Sequence, residues 1–268
     1  MTLILKQLDH DNLCHGWEWE VDKIDILAER VARVALGQYR HVAQILEGLA
    51  GAAPAGTAQH AADALKKLKL AKNGDPWQRD GWLFQVISWI AANQTKQGAT
   101  LAPPHIFHAH KGFDGMQLEL SGDGKSITAI VIFEDKATEN ARETITQNVW
   151  PDIVALEAGE RVAELTHEAS AMLATQQHLY PGLNIDDAID RILWQQARRY
   201  RVSISIDDKH KTADNRKKLF KHYDSSADGD VARRRAETMH FDDLRKWMSD
   251  FADLVEAKIK GDGACLTR

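Results

Sequence analysis

Residues 116–136 have the sequence MQLELSGDGKSITAIVIFEDK, and this stretch decides the fold. Apolar and polar residues alternate at its start, as in a strand with one buried face. Asp123-Gly124 is a strong signal for a hairpin turn. The following segment, 127–133, is almost entirely apolar and rich in β-branched residues, which is typical of a central strand. The stretch therefore predicts a β-hairpin whose second strand ends in Glu134-Asp135-Lys136.

Asp114, just before this hairpin, is predicted to lie beside the hairpin's far end. A turn centred in the SGDGK segment places Asp114 opposite Phe133, or opposite Glu134 if the hairpin contains an odd loop or a bulge. Side chains opposed across two strands are only ~5 Å apart at Cβ. Glu134 and Lys136 share one face of the strand, whereas Asp135 points to the other face. Two acids and a lysine are therefore expected to meet at a strand end.

Two carboxylates held this close repel each other, and a divalent cation relieves that repulsion. Mg²⁺ prefers oxygen ligands, uses few carboxylates and keeps several waters. Such a metal lowers the pKa of a bound water and stabilises the charge that builds up on a phosphate. A neighbouring lysine orients that water or neutralises the developing charge. The trio of Asp114, Glu134 and Lys136 thus has the composition of a minimal phosphodiesterase site.

These motifs resemble those of the PD-(D/E)XK nuclease superfamily, also called restriction-endonuclease-like. The resemblance rests on Gly112-Phe113-Asp114, the hairpin, and Glu134-Asp135-Lys136 after an apolar strand. Predicted helices at 77–93 and 137–149 occupy the positions of that fold's flanking helices. The resemblance covers roughly residues 77–206 and implies an α/β fold with an αβββαβ core. It also implies hydrolysis of DNA phosphodiester bonds with Mg²⁺ or Mn²⁺.

The resemblance also assigns roles to individual residues. It makes Asp114 and Glu134 metal ligands, Lys136 the catalytic lysine, and the main-chain carbonyl of Asp135 a third ligand. Some members carry a glutamine in the following helix, a position that Gln147 would fill as an accessory residue.

The sequence departs from the family pattern at two points. The first motif lacks the proline that gives the family its name, as it does in many members. Many members also carry an acid on the preceding helix, where this chain offers Gln85 or Asp80. The length, the helical N-terminal region and the Gly-x-Asp…Glu-x-Lys core also resemble the nuclease subunit of Hachiman antiphage systems. That resemblance implies a role in antiphage defence with a helicase partner.

The chain carries a formal net charge of −5, so contacts with DNA would have to use local basic patches. The stretch 198–221 is rich in cations and is predicted to contact the DNA backbone. A solvated surface without a partner is the alternative interpretation of the same charges. The DNA-contacting side chains predicted in this stretch are Arg198, Arg199, Arg201, Lys209, Lys211, Lys217 and Lys218.

Other functions remain open at this stage. His105, His108 and His110 lie close together and, with Asp114, would form a histidine-based metallohydrolase site. In the nuclease interpretation these histidines are structural, or His110 helps to bind phosphate. A third possibility is a catalytically degenerate subunit that only binds nucleic acid or docks on a partner.

The chain is expected to divide into a mainly helical region at 1–75 and a nuclease-like α/β domain at 76–268, which ends in a helical extension. The apolar spacing predicts one long helix over 24–49 and a closing helix over 240–260, whereas 207–230 is predicted to be a mobile loop. The two cysteines, Cys14 and Cys265, form no metal-spaced pair, which fits a reducing cytoplasm. The sequence contains no signal-peptide pattern and no apolar run long enough for a membrane helix, so we expect a cytoplasmic protein.

Overall fold

The computed structural model describes residues 2–49, 51, 54, 57–95, 99–105, 112–176, 180–193 and 195–265. The described strands are β1 (Leu3–Asp9), β2 (His15–Val21), β3 (Thr100–Leu101), β4 (Gly115–Leu120), β5 (Ile127–Lys136), β6 (Arg198–Ile206) and β7 (Arg234–His240). They form one mixed sheet with the order β1-β2-β7-β6-β5-β4-β3. The four middle strands, β2, β7, β6 and β5, run parallel, while β1, β4 and β3 are antiparallel to their neighbours.

Helices cover both faces of this sheet. The described helices are α1 (Ile24–Ala35), α2 (Tyr39–Leu46), α3 (Ala58–Lys67), α4 (Trp77–Thr95), α5 (Ala141–Thr144), α6 (Trp150–Glu157), α7 (Val162–Gln176), α8 (Ile185–Leu193), α9 (Ala213–Leu219), α10 (Tyr223–Ser226) and α11 (Leu244–Cys265). One core cluster joins α1–α4 and α11 to one face, and a second joins α5–α10 to the other. The expected α/β class is therefore confirmed. No described helix is both long enough and apolar enough to cross a membrane.

The hairpin of β4 and β5 forms where the sequence predicts it. Gly124 adopts φ +68°, a left-handed conformation that glycine tolerates and that the tight turn requires. Gly115 pairs with Phe133, but the ladder shifts by one residue between Glu119 and Leu120. This bulge supplies the odd offset that brings Asp114 into register with Glu134.

The elements around β5 follow a simple order along the chain. α4 is followed by β3, β4 and β5, which form an antiparallel meander, then by the helices α5–α8 and finally by β6, which pairs in parallel with β5. The first helical segment after β5 runs from Ala141 to Glu157 and passes through a π-helical turn at Ile145–Val149. Pro151 follows this turn and has no N–H to donate to a carbonyl one turn back, so the α-helical ladder is interrupted there.

Two predicted segments differ from the structure. The single helix expected over 24–49 is divided into α1 and α2, because Gly37 adopts φ +81° and ends α1. The prediction of a mobile loop over 207–230 is wrong. This segment contains a helical turn at Asp208–His210, followed by α9 and α10. Thr212 caps α9, and the buried Leu219 and Tyr223 anchor the segment to the core.

The N-terminal region contains two strands, although it is expected to be mainly helical. β1 and β2 form a hairpin within this region, and β2 pairs with β7, a strand that the sequence does not predict. Residues 1–75 therefore contribute two strands to the same sheet as the predicted α/β domain.

The β2–β7 contact makes a prediction about stability. A Cβ at Gly16 would lie 2.0 Å from the main-chain oxygen of Ala236, a distance that requires the two strands to separate. We expect Gly16→Ala to lower the free energy of unfolding by ~1–3 kcal/mol, because an extra methyl group overfills the space between the strands. Gly122→Ala is the matched control, because its Cβ would meet no atom within 4 Å. Equal urea midpoints for the two variants would contradict the close approach of β2 and β7.

Candidate active site

Asp114 is held by three donors from two neighbouring elements. Its Oδ1 accepts a hydrogen bond from Gln85 Nε2 of α4 at 2.5 Å. Its Oδ2 accepts from the backbone N–H of Asp135 at 2.8 Å and from Lys136 Nζ at 3.0 Å. The carboxylate that precedes β4 is thus fixed in position by both α4 and the end of β5.

Glu134 is the buried member of the site. The residue is only 5% exposed, although it lies at the carboxyl end of β5 where the strand leaves the core. Burial raises the pKa of its carboxyl group; Lys136 opposes this shift and Asp114 adds to it. A buried carboxylate next to a second carboxylate needs a cation to remain charged.

Lys136 provides that cation. Its Nζ lies 2.9 Å from Glu134 Oε2 and 3.0 Å from Asp114 Oδ2, and the side chain is 27% exposed. Burial alone would lower the pKa of the ammonium, but Glu134 and Asp114 outweigh it and raise the pKa above its ordinary value. Lys136 is therefore a permanently charged donor that still reaches solvent.

The structure brings the predicted trio together. Because both carboxylates contact one ammonium, their nearest oxygens are no farther apart than the sum of the 2.9 and 3.0 Å contacts. These carboxylate oxygens are ligands of the kind that Mg²⁺ and Mn²⁺ prefer.

The chain matches no protein-family model, and no curated protein sequence matches it.

Gln85 contacts Asp114 although the sequence does not predict that contact. It lies on α4, 29 residues before Asp114, at a position where many members of the resembling family carry an acid. The buried α4 packs against the sheet, with Ala92 in contact with Val131 and Phe133 of β5. This packing determines the position of α4 along the sheet and therefore places Gln85 beside Asp114. The contact depends on tertiary structure and not on a local sequence pattern.

Asp135 points to the opposite face of β5 from Glu134, as predicted, and enters a buried polar network. Its Oδ1 accepts from Ser88 Oγ at 2.7 Å, and Ser88 Oγ accepts from Arg201 Nη1 at 2.8 Å. Arg201 Nη2 donates to Glu237 at 2.7 Å, and Trp19 Nε1 donates to the same oxygen at 2.8 Å.

Burial raises the pKa of Asp135 to about 7, although Arg201 opposes the shift. Arg201 is fully buried, with its guanidinium over the rings of Phe133 and Trp19 at 4.5 and 5.3 Å. The network therefore fixes the backbone of Asp135, whose N–H holds Asp114.

A second cation lies near the trio. The Arg161 guanidinium stands 4.5 Å from the Phe113 ring, next to Asp114 in sequence, and pairs with Glu164 at 2.8 Å. The hydrogen bond to Glu164 raises the pKa of Arg161, and the nearby Glu134 adds to the shift. Arg161 thus contributes positive charge to the site from the segment before α7.

The predicted basic stretch does not form one continuous surface. Arg201 is fully buried and Arg198 is 5% exposed and donates to the Leu156 carbonyl, so the prediction that these two contact DNA is wrong. Both guanidiniums donate hydrogen bonds inside the protein. The other predicted side chains differ in their contacts: Arg199 pairs with Glu119, Lys211 with Asp208 and Lys217 with Asp11, while Lys209 and Lys218 are exposed.

The accessory residues predicted from the sequence have different outcomes. Gln147 lies in the π-helical turn with an exposed side chain. His105 Nε2 lies 2.6 Å from the Phe113 carbonyl, so this nitrogen donates a hydrogen bond and is occupied. His108 and His110 lie outside the described residues.

Another group of potential metal ligands lies at the carboxyl ends of β6 and β7. One atom each from Asp208, His240 and Asp242 lies within 4.8 Å of the others. The carboxylates are 77% and 90% exposed, and Lys211 also contacts Asp208 at 3.4 Å. These features are those of a surface ion-pair cluster, and Asp208 lies too far from His240 and Asp242 in sequence for the three to form a recognisable motif.

Proposed function

We propose that the protein is a metal-dependent nuclease that hydrolyses DNA phosphodiester bonds. The observation that carries the proposal is the pair of contacts from Lys136 Nζ to Asp114 and Glu134 at the carboxyl end of a central strand. The element order supports a PD-(D/E)XK core, since α4, the three strands β3–β5, a helical segment and β6 follow one another along the chain, with α7 and α8 as further helices before β6.

Asp114, Glu134 and the main-chain carbonyl of Asp135 would hold the metal. Their oxygen-only chemistry fits Mg²⁺ or Mn²⁺. When bound, such an ion lowers the pKa of a coordinated water and stabilises charge on a phosphate.

The protein's own groups prepare this chemistry. Gln85 and the Asp135 N–H fix both oxygens of Asp114, so its carboxylate has little freedom to turn away. Lys136 remains protonated and partly exposed, so it can donate to a phosphate oxygen or to the attacking water. A donor fixed before the reaction lowers the barrier because no reorganisation is needed at the transition state.

Substrate binding is proposed to use exposed cations near this edge of the sheet. β5 and β6 are parallel, so the segment after β6, with the exposed Lys209, follows the same edge as Glu134. The net charge of −5 supports a partner that delivers the DNA, and we propose a helicase in an antiphage system for that role.

The test is cleavage of supercoiled plasmid and linear duplex DNA with Mg²⁺, Mn²⁺ or EDTA. We expect cleavage with either metal, none with EDTA, and at least ~100-fold slower cleavage by Asp114→Asn. Asp253→Asn, at an exposed position of α11, is the matched control and should cleave normally. A preference for the supercoiled or the linear form separates internal from end cleavage.

Two outcomes would contradict this proposal. DNA binding without cleavage in any metal would favour a catalytically degenerate binding subunit. Cleavage that survives Asp114→Asn would mean that another site carries the chemistry.

A further inference from the structure

A separate cavity lies at the other end of the β4–β5 hairpin. Its volume is about 580 Å³, within the range of small-molecule sites. The lining includes the Ser121–Gly124 turn, Gln117, Glu119, Tyr180 and Arg235. The six residues of β4 separate the turn from Asp114, a length of ~20 Å at ~3.4 Å per residue.

Two arginines share one carboxylate in this cavity. Arg199 Nη1 lies 2.5 Å from Glu119 Oε2, whereas Arg235 Nη2 lies 3.5 Å from Glu119 Oε1. Gln117 Nε2 also donates to Oε1 at 3.2 Å. The three charged groups therefore carry one net positive charge, and the arginine that lacks a close partner is Arg235.

Arg235 is the less firmly paired of the two arginines. Its side chain is 17% exposed, and the 3.5 Å contact is the sole polar partner of its guanidinium among the described residues. Charged hydrogen bonds are normally ~2.7–2.9 Å long. The adjacent Gln117 is 3% exposed, and its Oε1 has no hydrogen-bond partner in the described part of the chain. The wall of the cavity thus holds a guanidinium that the protein itself pairs only through one long contact.

The charge of Arg235 also affects its neighbour in β2. His15 of β2 is paired in register with Arg235. Burial, followed by the charge of Arg235, lowers the pKa of His15. The acidic Asp123 accepts from Ser121 Oγ and from the Lys125 N–H, so its carboxylate is held within the turn.

We propose that this cavity binds a small phosphate-bearing molecule, with Arg235 as the main contact. The planar guanidinium donates two parallel hydrogen bonds to phosphate oxygens, and Arg199 neutralises the nearby Glu119. The cavity is larger than inorganic phosphate requires, and a nucleoside monophosphate fits its size. This inference goes beyond the proposed nuclease, because it requires no cleavage and uses none of the trio.

The test is isothermal titration calorimetry of the purified chain with deoxyadenosine monophosphate, inorganic phosphate and deoxyadenosine as separate ligands. We expect the monophosphate to bind and deoxyadenosine not to bind. Tighter binding of the monophosphate than of phosphate identifies an ester as the ligand, and equal affinity identifies free phosphate. Arg235→Gln should weaken binding of either ligand at least about tenfold.

A second pair of variants changes an exposed side chain at the cavity, which is less prone to disturb the fold. Thr128 lines the cavity and is exposed, so Thr128→Glu adds a negative charge and Thr128→Gln is its neutral control. We expect Thr128→Glu to weaken binding about fivefold and Thr128→Gln to have little effect. Lys136→Met should bind the monophosphate normally, which separates this cavity from the cleavage site.

Three results would overturn the inference. They are no binding of either phosphate ligand, binding unchanged by both Arg235→Gln and Thr128→Glu, and loss of binding in Lys136→Met.

Discussion

Lys136→Met is expected to slow metal-dependent DNA cleavage by at least ~100-fold, because it removes a donor fixed between the two carboxylates. Methionine retains most of the side chain's length and apolar volume, so the change mainly deletes the charge. The measurement is the initial rate of plasmid cleavage with saturating Mg²⁺. Lys69→Met, at an exposed position after α3, is the matched control and should keep the wild-type rate.

The same variant distinguishes lost chemistry from lost structure. Without the ammonium, Glu134 is a buried carboxylate beside Asp114 with no cation between them. We therefore expect the melting temperature of Lys136→Met to fall in EDTA and to recover in Mg²⁺ more than that of wild type. A folded variant that cleaves at the wild-type rate would remove Lys136 from the mechanism.

The second large effect is expected at Arg201. Arg201→Met should lower the free energy of unfolding by ~3–5 kcal/mol, because it leaves Glu237 buried without its cation. The measurement is equilibrium unfolding in guanidinium chloride. The double variant Arg201→Met/Glu237→Gln should regain part of the loss, because it also removes the uncompensated charge.

The double variant makes the prediction specific to the ion pair. If the two substitutions were simply additive, the loss would reflect packing of the guanidinium against Phe133 and Trp19 rather than its charge. A loss below ~1 kcal/mol for Arg201→Met alone would contradict the buried network.

The hairpin and the trio are predictable from the sequence because their signals are local. Alternation, the turn at Gly124 and a two-residue spacing between Glu134 and Lys136 determine which side chains meet. The predicted bulge or odd loop is also needed, and the structure supplies a bulge. These relations require only counting along adjacent strands.

β7 is missed because its sequence, RRAETMH, does not have the hydrophobic pattern of a buried strand. Two of its charged side chains, Arg234 and Glu237, are nevertheless buried and are hydrogen-bonded to groups that are distant in sequence. Arg234 donates to the carbonyls of Asn12 and Leu13, and Glu237 accepts from Arg201. The same reason makes the prediction for Arg198 and Arg201 fail, since a charge pattern alone does not show which cations are paired internally.

Gln85 shows a different limit. No local pattern distinguishes it from the other polar residues of α4, and its contact with Asp114 depends on how the helix packs on the sheet. Pairing rules within a hairpin are fixed by chain geometry, whereas helix-to-sheet contacts depend on many apolar side chains acting together.

The pairing of β2 with β7 has a consequence for how the chain folds during synthesis. Trp19 and Glu237 are 218 residues apart, yet they are hydrogen-bonded in adjacent strands. Contacts of such long sequence separation form slowly, because a long loop must close first. During synthesis, β2 therefore remains without its neighbour until β7 has left the ribosome. A chain lacking residues 1–75 would expose β7 as an unpaired edge strand, which promotes aggregation.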